Sequence, residues 1–313
     1  MGYAAPGQLV SVDGARRRLH VQRQGAATAA GEPTIVLDAA LGGSCLGWIY
    51  VVRALTSEFA VISYDRAGLG WSPGQPGRRD LDMSVDDLEA VLAAVAAPPY
   101  VLVGHSYGAL VTRGYAARHP NQVRGLILVD PPALEEWAEP DAVHQTRLAT
   151  GVRLARRGAW AARCGVAQLA AWLISIGAFQ LAAACARAVS GGRLRARSDF
   201  NFTPAAKLPP ELKPTMRWLW TRPRFYTAMA QQMETLPEAC RAVAALPPPE
   251  IPLVVLSARD TPPRQLAEHA RMATAAPLGT HRQAHASGHW IPLEEPDLIV
   301  ATVRELAARA TQP

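Results

Sequence analysis

The chain has 313 residues, enough for one large domain or a domain with an insertion, and its formal net charge of +6 is unevenly placed. Residues 151–246 carry fourteen Lys and Arg against four Asp and Glu, so a basic segment sits on a mildly acidic remainder. No aromatic-basic pattern of a nucleic-acid module accompanies it, and the four cysteines (Cys45, Cys164, Cys185 and Cys240) form no Cys-x-x-Cys pair, which argues against a zinc site and a disulfide framework.

Arg16, Arg17 and Arg18 are followed by no apolar core of a signal peptide, so a cytoplasmic location is expected. Gln8–Val12 alternates and reaches Asp13-Gly14, a hairpin turn signal, after which residues 18–23 alternate on the return strand. Residues 25–33 read as a loop. Thr34–Asp38 is a buried strand ending in the small-residue loop Ala39–Ser44, and residues 46–55 have helical spacing. Residues 59–64 form another strand, followed by Asp65-Arg-Ala-Gly-Leu-Gly-Trp-Ser72. Asp65 and Arg66 read as a structural pair. Ser84 is expected to cap a helix that runs to Ala97, where Pro98-Pro99 stops it.

Residues 100–103 are a strand that passes through Gly104-His-Ser-Tyr-Gly108 into a helix ending before Pro120. Gly-x-Ser-x-Gly at a strand-to-helix corner is a nucleophile elbow, in which a tight turn projects the serine hydroxyl above the sheet. Residues 124–129 make a further strand, and Asp130-Pro-Pro follows. Strands alternating with helices imply a mainly parallel sheet whose ligands bind at the carboxyl ends of the strands.

From residue 133 to 246 the alternation stops, and a helical cap over the sheet edge is expected. No charge occurs between Arg163 and Arg187, and Leu169, Trp172, Leu173, Ile176 and Phe179 form one apolar stripe. The stretch is long enough to span a bilayer. It is mostly alanine, however, contains Gln168, Ser175 and Gln180, and has arginines at both ends, so a packed lid is favoured over membrane association. Trp218, Trp220, Phe225 and Tyr226 read as core or as cavity lining. Residues 247–252 are a proline-rich return. Strand 253–257 ends at Ala258-Arg-Asp260, a helix covers 263–275, strand 279–284 leads to His285-Ala-Ser-Gly-His289, and a closing helix runs over 296–310.

A serine hydroxyl needs a base in hydrogen-bond reach and the base needs an orienting acid. Ser106, Asp260 and His289 supply them in the chain order Ser…Asp…His. With the four motifs Gly104–Gly108, Asp65–Ser72, Ser257–Asp260 and Ser287–Pro292, the chain resembles the α/β-hydrolase superfamily, in its cap-bearing, esterase-like branch. The resemblance implies an α/β fold with a mainly parallel sheet of about eight strands, a core of residues 1–132 and 247–313, and a cap of residues 133–246. It implies Ser106 as nucleophile, His289 as base, Asp260 as acid with Asp130 as the alternative, and the backbone N–H groups of Leu41 and Tyr107 as the oxyanion hole. His105 is expected to act from behind these residues, Asp130 to cap the loop into the lid, and His281 and His285 to lie at the surface.

One departure stands out. Relatives commonly have His-Gly where this chain has Ala39-Ala40, so the shape of the turn before Leu41 is in question. A serine nucleophile also sets the chain apart from the haloalkane dehalogenases and epoxide hydrolases of this fold, which use aspartate. The expected activity is hydrolysis of a small-molecule carboxylic ester or related acyl bond, the substrate having an apolar acyl or alcohol part, with no cofactor, metal or nucleic-acid partner. The same triad serves acyltransferases, carbon–carbon hydrolases and aminopeptidases, and a weakly catalytic binding protein is the reading from another class.

Overall fold

The computed structural model of the chain describes residues 2–12, 17–26, 31–75, 77–175 and 203–310. Eight strands form one sheet: β1 (Gln8–Val12), β2 (Arg17–Gln24), β3 (Thr34–Asp38), β4 (Val61–Asp65), β5 (Tyr100–His105), β6 (Val123–Val129), β7 (Leu253–Ser257) and β8 (Gly279–Gln283). Their order is β1-β2-β4-β3-β5-β6-β7-β8. The β1–β2 and β2–β4 pairs are antiparallel and the rest are parallel.

Strand β5 shows why an unbroken apolar run was needed. Tyr100 and Leu102 pack into the cluster on one face, with Leu88 and Tyr115, while Val101 and Val103 pack into the cluster on the other, with Trp48, Leu55 and Val303. Both faces are covered by helices, so a central strand cannot alternate apolar with polar. One cover is α2 (Leu81–Val95) with α3 (Tyr107–Arg118); the other is α1 (Ile49–Leu55) with a closing helix, Pro296–Ala310. The α2 start differs from expectation: Asp80, not Ser84, caps it, its carboxylate accepting from Met83 N–H at 2.9 Å, and Ser84 lies within the first turn.

Between β6 and β7 the described residues are helices and connecting segments without a strand. They are α4 (Leu134–Ala138), α5 (Ala142–Arg163), α6 (Val166–Ser175), α7 (Thr203–Lys207), α8 (Lys213–Trp220) and α9 (Pro223–Ala244). No helix among the described residues is long and apolar enough to cross a membrane. The Asp13-Gly14 turn, Ile176, Phe179 and Cys185 lie outside the described residues. Helix α10 (Pro263–Ala275), α11 (Ile291–Glu294) and α12 (Pro296–Ala310) complete the chain.

Registers bring the carboxyl ends of three central strands side by side: Asp38 of β3 faces Gly104 of β5, and His105 faces Val129 of β6. The segments that follow, Ala39–Gly43, Ser106 and Asp130, therefore leave the sheet at one edge.

Candidate active site

Ser106 sits between β5 and α3 with φ 54° and ψ −116°, one of two non-glycine residues of positive φ among those described. That conformation costs free energy and persists because its surroundings enforce it. Ser106 N–H donates to the Val129 carbonyl at 2.9 Å, and its own carbonyl accepts from Ala109 N–H at 2.9 Å. A Cβ on Gly104 would run into Thr112 and the Gly108 carbonyl, and one on Gly108 into the Asp38 and Ala39 carbonyls. The two glycines are thus required by close backbone approach.

The second positive-φ residue is Asp130 (φ 43°), and it, rather than the expected Asp260, is the carboxylate that meets His289. Asp130 Oδ2 lies 2.6 Å from His289 Nδ1. Its Oδ1 accepts from Ala258 N–H at 3.1 Å and from the Thr261 hydroxyl at 2.9 Å. Burial pushes the Asp130 carboxyl up, but the His289 hydrogen bond and charge, with those two donors, outweigh it and hold it below the usual carboxylate range. Asp260 is exposed and makes no such contact. The two acids follow adjacent parallel strands, β6 and β7, so both reach the same edge. Asp130 comes directly off β6 and turns inward; Asp260 is three residues past β7, inside the Ala258–Thr261 turn whose two ends hold Asp130. Asp130 does not merely cap the loop into the lid.

His105, buried behind Ser106, donates through Nε2 to the His289 carbonyl at 2.7 Å, and the two rings lie 4.8 Å apart. Burial and the nearby His289 charge push its pKa down to about 3, so the ring is neutral with its proton on Nε2. His105 thereby fastens the loop that carries His289. His285 is exposed, as expected. His281 is not a free surface group: its Nε2 lies 2.8 Å from Ser257 Oγ, which also contacts Nδ1 of buried His269 at 2.7 Å. His269 Nε2 in turn reaches the Pro131 carbonyl at 2.9 Å, bracing the backbone next to Asp130.

The turn that faces Ser106 shows how Ala39-Ala40 replaces His-Gly. Neither alanine has positive φ; the left-handed residue is Gly42, at φ 65°. Gly43 N–H donates to the Ala40 carbonyl at 2.8 Å, closing a turn whose third position is the left-handed Gly42 and whose fourth, Gly43, has the Ala40 carbonyl where a Cβ would stand. Arg66 does not pair with Asp65. Its guanidinium pairs with Asp38, donates to the Ala39 carbonyl at 2.6 Å and to the Ala40 carbonyl at 2.5 Å, and lies 5.1 Å from the Tyr107 ring centroid. In a trans peptide the carbonyl and N–H point opposite ways. Anchoring the Ala40 carbonyl on Arg66 therefore turns Leu41 N–H away from the core. The next amide, Gly42 N–H, donates to Gln232 Oε1 of α9 at 2.9 Å, so a residue from the helices between β6 and β7 also holds this turn. Sequence reasoning missed both Arg66 and Gln232 in these places: their contacts are 26 and 190 positions distant in the chain.

Asp65 instead organises the opposite side of the loop after β4. It lies 2.7 Å from His20 Nδ1 and accepts from Cys45 N–H at 2.8 Å and Trp71 N–H at 2.9 Å. His20, Cys45 and Asp65 place three potential metal-ligand atoms within 4.8 Å of one another. Burial and the Asp65 charge push the Cys45 thiol well up, and Gln22 donates to its sulfur at 2.9 Å. A cation would have to displace the His20–Asp65 bond and a thiol proton, so the trio fits a hydrogen-bonded hub better than a metal site.

Ser106, His289, Asp130, Leu41 and Tyr107 line one cavity of about 410 Å³. Asp260 is at its wall. Among the described residues neither Leu41 N–H nor Tyr107 N–H has a protein acceptor, which leaves both for a ligand. Trp220 and Tyr226 line a different cavity, of about 440 Å³, among the helices between β6 and β7, while Trp218 packs with Met216 and Leu219. None of Trp218, Trp220, Phe225 and Tyr226 lines the Ser106 cavity.

A doubly covered, mainly parallel sheet with a strained serine at its central strand-to-helix corner defines a hydrolase of the α/β type. The family model described as the alpha/beta hydrolase fold matches residues 33–296, and the chain belongs to that family. It is 37% identical over 118 residues to the uncharacterized protein YqjL of Bacillus subtilis, covering 36% of this chain and 46% of that one. It is 30% identical over 115 residues to a protein of Agrobacterium fabrum named "Putative carbamate hydrolase RutD", covering 36% and 42%. The matched region thus spans under half the length of these relatives. A thermophilic esterase from Thermogutta terrifontis shares the fold with TM-score 0.66 at 22% identity, over 98% of this chain and 100% of that one.

Proposed function

We propose that this hydrolase acts on a small-molecule carboxylic ester, or a related acyl bond such as a carbamate, through an acyl-enzyme on Ser106. The observation that carries the reading is the Asp130–His289 hydrogen bond opening onto the cavity that Ser106 also lines. With Nδ1 held by Asp130, His289 presents Nε2 as the base. It takes the Ser106 proton as Oγ attacks the substrate carbonyl, then returns it to the leaving group. Leu41 and Tyr107 N–H groups receive the developing oxyanion, a contribution on the order of 2.7–4 kcal/mol for each donor. Water then attacks the acyl-enzyme by the same base and releases the acid. Carbamates belong in the reading because a relative 30% identical over 115 residues carries that name, and carbamoyl transfer to serine uses the same groups.

The test is hydrolysis of p-nitrophenyl acetate, butyrate and N-methylcarbamate, with mass spectrometry after a fluorophosphonate. The expected result is turnover of at least one substrate, a covalent adduct on Ser106, and loss of both in Ser106→Ala. Hydrolysis that survives Ser106→Ala refutes the serine mechanism.

A further inference from the structure

Asp260 was the sequence candidate for the acid, and with Asp130 in that place its carboxylate is left over. It nonetheless lines the Ser106 cavity. Both its oxygens lie 3.3 Å from where a Cβ on Gly288 would stand, one residue from His289. Among the described residues it has no hydrogen bond or ion pair to the protein, and no Lys or Arg lines the cavity. Arg259 and Arg264, its basic neighbours in sequence, are both exposed and outside the lining. The other carboxylate, Asp130, is already matched by His289, Ala258 and Thr261.

We propose that Asp260 is a specificity residue that selects substrates carrying a cationic group, an amine or quaternary ammonium, a few bonds from the scissile carbonyl. The inference rests on the reading of Ser106 as nucleophile. An unmatched carboxylate in a concave, partly apolar wall lowers the potential there and attracts positive charge, while a carboxylate or phosphate on the substrate is repelled. Trp137 of α4 lines the same cavity, and an indole is the preferred aromatic partner of a cation. Since Asp260 is exposed, solvent and salt screen it, and the preference is one of several-fold, expressed mainly in KM.

The experiment compares acetylthiocholine with 3,3-dimethylbutyl thioacetate, its uncharged isostere. In the native protein the cationic ester is expected to have a kcat/KM about five- to tenfold higher, and half a molar salt is expected to shrink the ratio. In Asp260→Asn the ratio falls towards one, and in Asp260→Lys it inverts. Circular dichroism and a thermal melt check that the variants fold. The same preference is read without turnover as the Kd ratio of acetylcholine to 3,3-dimethylbutyl acetate on Ser106→Ala, where Asp260→Asn is again expected to remove it. A ratio unchanged by Asp260→Asn, equal losses on both esters, or no tighter binding of the cation to Ser106→Ala overturns the proposal. Failure of the serine mechanism is seen separately, as hydrolysis that Ser106→Ala does not abolish.

Discussion

Replacing Asp130 by Asn tests the arrangement most directly. In the native site Oδ1 accepts from two donors, Ala258 N–H and the Thr261 hydroxyl, while Oδ2 accepts from His289 Nδ1–H. An asparagine keeps its carbonyl on the two donors, because turning it round would leave the Ala258 N–H against an NH2 group. The amide NH2 then faces His289 Nδ1, and the ring answers by moving its proton to Nε2. In that tautomer Nε2 cannot take the Ser106 proton. Amidation of the orienting acid in such a triad lowers kcat by about 10⁴, or roughly 5.5 kcal/mol of barrier. The assay is kcat on a p-nitrophenyl ester, with the thermal midpoint measured alongside, and the loss at Asp130 is expected to exceed that in Asp260→Asn by two orders of magnitude or more. Equal losses, or a larger one at Asp260, would refute the assignment drawn from this geometry.

Two further outcomes follow from groups around the site. Gln232→Leu removes the acceptor of Gly42 N–H and loosens the turn ahead of Leu41; kcat is expected to fall about 10- to 100-fold with a smaller change in KM, and affinity for an alkylboronic acid to fall in parallel, whereas unchanged kcat would show that the cap does not hold the hole. Buried His105 binds a proton only near pH 3 when folded but at about 6.5 when unfolded, so the unfolded state takes up the proton first and stability declines as pH falls below 6.5, by about 2 kcal/mol at pH 5. Urea unfolding at pH 7.5 and 5 checks this, and a variant His105→Gln with the same pH dependence as the native protein would contradict it.

The sheet, the elbow and the order of its elements were legible in the chain because the forces that make them are local or periodic. Val101–Val103 must be apolar throughout, since a central strand is covered on both faces. Gly104 and Gly108 must lack side chains because backbone from β3 and α3 passes where a Cβ would stand. The helical segment between β6 and β7 was legible only as a loss of alternation, and Trp218, Trp220, Phe225 and Tyr226 lie outside the Ser106 cavity while Trp137 lines it. Which carboxylate meets His289 was decided by tertiary structure. Asp130 follows β6 directly and Asp260 stands three residues past β7 at the same edge; what separates them is the inward turn of Asp130 onto Ala258, Thr261 and His289. The Ala39-Ala40 turn was likewise settled through space, by Arg66 just after β4 and Gln232 from α9, because the orientation of a peptide N–H depends on who holds the carbonyl behind it. Adjacent residues and a repeat of two thus determine where a serine can be raised above a sheet, while the partners that make it reactive come from strands and helices far along the chain.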